Sequence, residues 1–317
     1  MPLNEFEIIE KYFTNSWTNN SSVVIAPGDD CAVLATPQGK ELCFSTDTLN
    51  EGVHFLDQSP PDVVASRTLA CNLSDIAAMG GDPYGCLLAI TLTEVKEPWI
   101  RDFSKKLFLL LENYDCPLVG GNISKGAALS LTMTVIGSVP RGKAITRSGA
   151  RVGDGIYVTG ELGDSIKGLE LVKSGETDNY LAARYCYPVP RIEEGKALRG
   201  IASSMIDISD GLLSDLGHLC TASGLGAEIR LDSLPISTDL RETCGEDSAI
   251  SFALGQSDDY ELCFTIPKEC EKKINFLRNS DLVSVTKIGE MIEEQKLLGL
   301  SGDGEYIELQ STGYMHF

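Results

Sequence analysis

The stretch "SMIDISDGLLSDLGHLCTASGLGAEIRL", residues 204–231, decides how this chain is read. The run from Met205 to Ile208, apolar but for Asp207, fits a buried strand. The segment from Gly211 to Gly224 carries apolar residues at helical spacing and closes on glycine, and "GAEIRL" alternates like a second strand. Strand, helix and strand in that order are the unit of an α/β fold. Asp207 and Asp210 straddle the end of the first strand. A carboxylate that loses water without gaining a partner is strongly disfavoured, so two of them at the mouth of a buried strand imply a compensating cation.

The alternation extends upstream. A helical pattern (Phe6, Ile9, Phe13) precedes the strand-like "VVIAPGDDCAVL" and "KELCFSTDTL", which carry Asp29, Asp30 and Asp47 near turns. "PDVVASRTLACNLSDIAAMGG" reads as a helix closed by Gly80 and Gly81, with Asp75 just before its last apolar turn. A strand "CLLAITL", a helix around "WIRDFSKKLFLLLENY", a short strand "CPLVGGN" ending in glycine and a strand "LSLTMTVIGSV" follow. The segment "PRGKAITRSGARVGDG", residues 140–155, is rich in glycine and basic residues and places a domain boundary near residue 148, giving units 1–148 and 149–317. The second half resumes with "GIYVTG", helices in "SIKGLELVKSG" and "RIEEGKALRGIA", the stretch quoted above, "SDDYELCFTI" and a strand near "VSVTKIGEM". Two units also suit a length of 317 residues, since single domains run to roughly 150.

Forty-six acidic residues against 26 basic ones give a formal charge of −20, a surface that repels the phosphate backbone and disfavours nucleic acid as a partner. The N-terminal "MPLNEFEIIEKYF" has neither a basic leader nor an apolar core, and no window of about 18 apolar residues occurs, so a cytoplasmic protein with no membrane partner is expected. The ten cysteines are scattered singly without a CxxC pair, which reads as reduced thiols.

Several acidic, hydroxyl or amide groups recur in one context, after an apolar strand or beside a glycine turn. They are Asp30 in "PGDD", Ser45, Thr46 and Asp47 in "STD", Asp75 in "NLSD", Asn122 in "GGN", and Asp207 and Asp210 in "MIDISD". Taken singly, each is an ordinary turn or cap residue. In open α/β sheets, however, the carboxyl ends of strands face the ligand crevice, so such positions are expected to converge. Asp75 is the most telling, because caps do not sit three-quarters of the way along a helix. Hard oxygen donors favour magnesium over zinc or copper, and magnesium shares its shell with substrate phosphates, which points to a nucleotide. The usual phosphate loops are missing: no GxGxxG opens a helix, and "GNISKGAA" lacks the Lys and hydroxyl of a Walker loop. With His54, His218 and His316 as the whole histidine complement, a hydrolase triad has little material, and His218 receives no role.

Taken together, "GDDCAV", "STDTLNEGVHF", "NLSDIAAMGG", "GGNISKG", "TRSGARVGD", "YVTGELGDS", "MIDISDGLLSDL" and "DDYELCFT" resemble the thiamine-monophosphate kinase family, nearly end to end and in order. That family belongs to a superfamily with aminoimidazole ribonucleotide synthetase and selenophosphate synthetase. The resemblance implies a two-domain, aminoimidazole ribonucleotide synthetase-like α/β fold with α+β-type mixed sheets. It also implies a homodimer in which the N-terminal sheet pairs with its mate, and a reaction of ATP with thiamine monophosphate giving ADP and thiamine diphosphate. By the same resemblance, magnesium ligands fall on Asp30, Ser45, Thr46, Asp47, Asp75, Asn122, Asp207 and Asp210. ATP contacts fall on Gly121, Asn122, Arg147 and Ser209, and thiamine monophosphate meets His54, the pair Asp258 and Asp259, and Tyr314.

Two departures stand out. Asn122 replaces the commoner Asp, removing one negative charge, and Gln256 and Ser257 stand where two glycines usually precede the acidic pair. Which of Asp258 and Asp259 faces the substrate stays open. The expected chemistry needs no general base, because a phosphate monoester is largely dianionic at neutral pH and is already a nucleophile. The obstacle is repulsion between two polyanions, which several magnesium ions would cancel. The alternatives are a sister enzyme that activates an amide or selenide, and a non-catalytic protein that binds magnesium nucleotide or buffers divalent cations. Cys31, following "GDD", fits poorly as the reactive cysteine a selenophosphate synthetase would want.

Overall fold

A computed structural model describes residues 3–14, 21–25, 30–279 and 283–310. The chain divides into two compact units, Met1–Ile76 with Gly81–Gly142, and Ala77–Gly80 with Lys143–Phe317.

The first unit opens with α1 (Glu5–Ile8), which runs on into a π turn at Ile9–Phe13. The short strands β1 (Val23–Ile25) and β2 (Val33–Leu34) pair with each other. Then follow β3 (Lys40–Asn50), α2 (Pro61–Ala78), β4 (Asp82–Leu92), α3 (Glu97–Asn113), β5 (Leu118–Lys125) and β6 (Ser130–Pro140). The four long strands form one sheet in the order β3-β6-β4-β5, with β4 and β5 parallel and β6 antiparallel to both its neighbours. The crossovers β3–α2–β4 and β4–α3–β5 both step the same way across this sheet, so the right-handed rule puts α2 and α3 on one face. Burial follows that geometry. Leu88, Ile90, Leu131, Met133 and Val135 are buried on the covered face, as are Leu73 and Ile76 of α2 and Phe103 and Leu107 of α3. Each such side chain contributes roughly 1.5–3 kcal/mol. The other face stays open: Leu42, Phe44 and Leu87 are 41%, 64% and 40% exposed.

The second unit contains β7 (Gly155–Thr159), α4 (Asp164–Ser174), α5 (Tyr180–Cys186), α6 (Ile192–Ala197), β8 (Ser204–Ile208), α7 (Leu212–Ser223) and β9 (Gly226–Arg230). It continues with α8 (Thr238–Cys244), α9 (Glu246–Leu254), β10 (Glu261–Ile266), α10 (Glu271–Asn279), β11 (Val285–Ile292), β12 (Leu297–Leu300) and β13 (Tyr306–Leu309). Seven strands make a mixed sheet in the order β13-β12-β9-β11-β7-β10-β8, in which only β9 and β12 run parallel. Strands β7, β8 and β10 are buried at every position, which is why they read as mostly apolar rather than alternating, with Asp207 and Glu261 as buried exceptions.

The strand–helix–strand reading of residues 204–231 holds, as β8, α7 and β9, but those two strands are not neighbours: β8 is an edge strand paired with β10. The expectation that site residues gather at the carboxyl ends of strands needs correction. That rule belongs to parallel sheets, and here most pairings are antiparallel, so strand ends of both senses share each sheet edge. Helices α5 and α8 and strands β12 and β13 are too short, and α9 too weakly periodic, to be read from the sequence; α10 is amphipathic and was missed all the same.

Candidate functional site

In the first unit the structure brings three of the expected groups together and turns others away. Asp47 lies inside the eleven-residue strand β3 rather than at a turn. Because β3 is an edge strand, its covered-face residues Ser45 and Asp47 are half-buried rather than sealed. Asn72 and Asp75, one helical turn apart on α2, share a helix face. The Asn72 Oδ1 accepts the Asp47 N–H at 3.2 Å, and its Nδ2 donates to the Thr68 carbonyl at 2.9 Å, which fixes the amide. The Ser45 hydroxyl donates to the Asp75 carboxylate. Burial, and then the negative charge of Asp75, push the Asp47 carboxyl up to about 6. Two carboxylates held this close with a hydroxyl beside them form an all-oxygen donor set, which fits a magnesium ion better than a softer metal.

Thr46 alternates to the opposite, open face, where its hydroxyl meets Thr134 Oγ1 at 2.9 Å and donates to the Met133 carbonyl. Asn122 is on that face too. It is exposed inside β5, not at the end of a strand, and sits opposite Ala89, two residues from Ser124, whose hydroxyl meets Thr91 at 3.1 Å. Gly121 precedes it against β4 so closely that a Cβ would sit 1.9 Å from the Leu88 carbonyl oxygen, so no other residue fits there. Asp30 is exposed. His54 is half-buried after β3, with Nδ1 accepting the Asn50 N–H at 3.0 Å and its carbonyl accepting from Arg67 Nε at 3.0 Å.

In the second unit Asp207 is buried within β8, opposite Leu262, while Ser209 is exposed and Asp210 half-buried in the turn that follows. Gly211 closes that turn at φ +116°, and a Cβ on it would meet the Gly255 carbonyl oxygen at 2.0 Å. The turn is braced by a residue to which the sequence reading gave no role. Asp215, in the first turn of α7, accepts the N–H groups of Ser209, Asp210 and Gly211 at 3.0, 3.0 and 3.1 Å. Burial outweighs these donors and raises its carboxyl to about 7. An acidic residue in the first turn after "DG" was the available signal. Asp210, Asp215 and His218 offer ligand atoms that all lie within 4.8 Å of one another. The main chain around Arg147 runs beside the start of β8 and the end of α7 rather than beside this turn. Thr146 O accepts the Met205 N–H at the start of β8, and Arg147 O accepts from Ser223 at the far end of α7.

The acidic pair is resolved into two roles. Asp259 is 2% exposed and takes the N–H groups of Gly163 and Ser165 at 2.7 and 3.0 Å, capping α4. Burial raises its carboxyl, against the pull of Arg184. Asp258 is only half-buried and accepts the Ser165 hydroxyl at 2.5 Å. Gln256 and Ser257 need no left-handed backbone; the positive φ falls instead on Tyr260, at +53°. Next in sequence, the fully buried Glu261 accepts from Thr159 Oγ1 at 2.6 Å, Arg184 Nη2 at 2.8 Å and Arg191 Nε at 2.6 Å. A lone acidic residue opening an otherwise apolar strand was its only sequence trace. Asp29, His316 and Tyr314 lie outside the described residues.

Comparison with known proteins places this geometry among relatives. Residues 28–139 match the AIR synthase related protein N-terminal domain, and residues 151–298 match the C-terminal domain of the same family. The thiamine-monophosphate kinase of Salmonella typhimurium is 44% identical over 323 aligned residues, covering 100% of this chain and 99% of that protein. The crystal structure of thiamine-monophosphate kinase from Stenotrophomonas maltophilia superposes with a TM-score of 0.87 at 39% identity, covering 96% of this chain and 98% of the other. A structure described as AaThiL complexed with AMPPCP and TMP gives a TM-score of 0.79 at 34% identity, covering 100% and 99%.

Proposed function

The chain belongs to the thiamine-monophosphate kinase family of AIR synthase-related proteins, and from that premise we propose how it acts. It moves the γ-phosphoryl group of ATP onto the phosphate of thiamine monophosphate, yielding ADP and thiamine diphosphate. The observation that carries this reading is the set of Ser45, Asp47 and Asp75, a half-buried group of oxygen donors in a chain 44% identical to such a kinase along its whole length.

The acceptor supplies its own nucleophile. With a second pKa near ~6, its phosphate is largely dianionic at neutral pH, so no side chain has to remove a proton. One bond forms, from an acceptor phosphate oxygen to the γ-phosphorus, and one breaks, from the γ-phosphorus to the bridging oxygen of ADP. The barrier is electrostatic: each pair of unit charges about 4 Å apart repels by roughly 1 kcal/mol in water and ~4 kcal/mol at an effective dielectric of 20. Bound magnesium supplies charge cancellation and orientation of phosphate oxygens. Ser45, Asp47 and Asp75 would hold it in the first unit, and Asp207 and Asp210 in the second, where Asp215 keeps the turn rigid. A ligand role for Thr46 or Asn122 would need a cation on the open face of the sheet. Gly121, Asn122, Arg147 and Ser209 are the proposed ATP contacts. His54, the pair Asp258 and Asp259, and Tyr314 are the proposed contacts of thiamine monophosphate, with Asp258 the outward member of the pair and Asp259 capping α4.

The open face of the first sheet, with Leu42, Phe44 and Leu87 exposed, supports a homodimer, since a second copy would cover these apolar side chains. Among the described residues no helix is long and apolar enough to cross a membrane, and the proposed location is the cytoplasm.

The test is ADP release from ATP and magnesium with and without thiamine monophosphate. Release only in its presence supports the kinase, whereas nucleotide binding without turnover favours a non-catalytic magnesium-nucleotide protein. After incubation with γ-labelled ATP alone, a trapped phosphoprotein would refute direct transfer.

A further inference from the structure

We propose that Ser165 is a positioning residue for substrate, holding the Asp258 carboxylate in the orientation that receives thiamine monophosphate; this rests on the kinase reading above. Ser165 is the second residue of α4, is 1% exposed, and touches both members of the acidic pair. Its N–H donates to Asp259 Oδ1 at 3.0 Å and its hydroxyl donates to Asp258 Oδ1 at 2.5 Å. The two carboxylates are not equivalent. Asp259 spends both oxygens on the end of α4, through Ser165 and the Gly163 N–H at 2.7 Å, and is sealed from solvent. Asp258 is the outward member.

The backbone of Asp258 is held from the following side. Tyr260 adopts φ +53° and donates its N–H to the Ile208 carbonyl at 2.9 Å, and Glu261 is clamped by Arg184, Arg191 and Thr159. Asp259, bonded to α4, fixes the chain between them. The Ser165 hydroxyl opposes rotation of the Asp258 side chain with a charge-assisted hydrogen bond. Thiamine monophosphate offers such a carboxylate a cationic thiazolium ring and an aminopyrimidine with N–H donors. A carboxylate already aimed before binding loses less conformational freedom when the substrate arrives, so the effect falls on substrate affinity rather than on phosphoryl transfer.

The experiment is steady-state kinetics on the full-length protein with ATP, magnesium and thiamine monophosphate, comparing wild type, Ser165→Ala, Asp258→Ala and the double variant. All four are assayed below the lowest of their melting temperatures, so that lost fold does not enter. The expected result is a rise of about tenfold in KM for thiamine monophosphate in Ser165→Ala, with kcat and the KM for ATP within about twofold of wild type. Adding Ser165→Ala to Asp258→Ala should then cost nothing more, because the hydroxyl acts through that carboxylate. An unchanged KM for thiamine monophosphate, an equal loss in the KM for ATP, or a double variant showing the product of the single effects overturns the proposal while leaving the kinase reading intact. A wild type that releases no ADP with thiamine monophosphate overturns both.

Discussion

The carboxylates of the two units are stabilised in opposite ways. In the first unit Asp47 is half-buried near Asp75, and both burial and the neighbouring charge disfavour its ionised form. In the second unit three buried carboxylates come with several donors from the chain itself. Asp215 has three backbone N–H groups, Asp259 has two, and Glu261 has two guanidinium groups and a hydroxyl. Those three are therefore largely satisfied by the fold itself, whereas Asp47 and Asp75 are proposed ligands of an external dication. Asp215 marks the limit of the contrast, since burial still lifts it to about 7 despite its donors.

The strongest way to break this contrast is Asp75→Asn. It should lower turnover by ~10³-fold or more while the protein still melts cooperatively, the loss expected when a carboxylate that would hold the charge-cancelling cation is neutralised. Near-normal turnover would remove Asp75 from the site.

Glu261→Ala should act on the other side, on stability. Breaking one partner out of a buried ion pair costs about 3–5 kcal/mol, and the low end is expected because Arg184 and Arg191 both keep some contact with solvent. Chemical denaturation measures it, and a change below about 1 kcal/mol would mean that the clamp is ornamental.

Magnesium and pH sharpen the comparison further. The Asp47 carboxyl sits at about 6 in the fold against an ordinary 3.8, so the folded protein holds that proton more tightly than the unfolded chain. Its contribution to stability is full below the unfolded value and is lost as pH rises through about 6. A dication takes the ionised form, so magnesium should raise the melting temperature at pH 8 and much less at pH 5. At a hundredfold excess over Kd, the gain is about 2.7 kcal/mol. An equal gain at both pH values would exclude the Asp47 site as its source.

The smallest effect is expected from Asn122→Asp. Exposed on the open face of β5, the change should move stability by no more than about 0.5 kcal/mol and leave the magnesium gain unaltered. An increased gain would place a cation on that face.

Much of this was legible in the chain. The α2 helix and the position of Asp75 within it, the β8–α7–β9 order, and the run of motifs shared with the kinase family could be read directly, because amphipathic periods and glycine stops are local signals. Asp47 was legible as a site candidate but not as the middle of a long edge strand. The division of labour between Asp258 and Asp259 was not legible at all, since it depends on α4, whose N-terminal Gly163 and Ser165 lie more than ninety residues upstream.

By itself the sequence determined most of the strands and helices, which residues are acidic oxygen donors, and to which family the chain belongs, because each of these is written in residues close together or in a pattern that runs the length of the chain. Only the tertiary structure decided which donors meet. Strand alternation sends Ser45 and Asp47 to one face of a sheet and Thr46 to the other, and it takes the register of β3 on β6 and the placement of α2 to say which face is covered. That is a property of packing among distant segments, fixed by burial of apolar surface over the whole sheet, and no local pattern carries it.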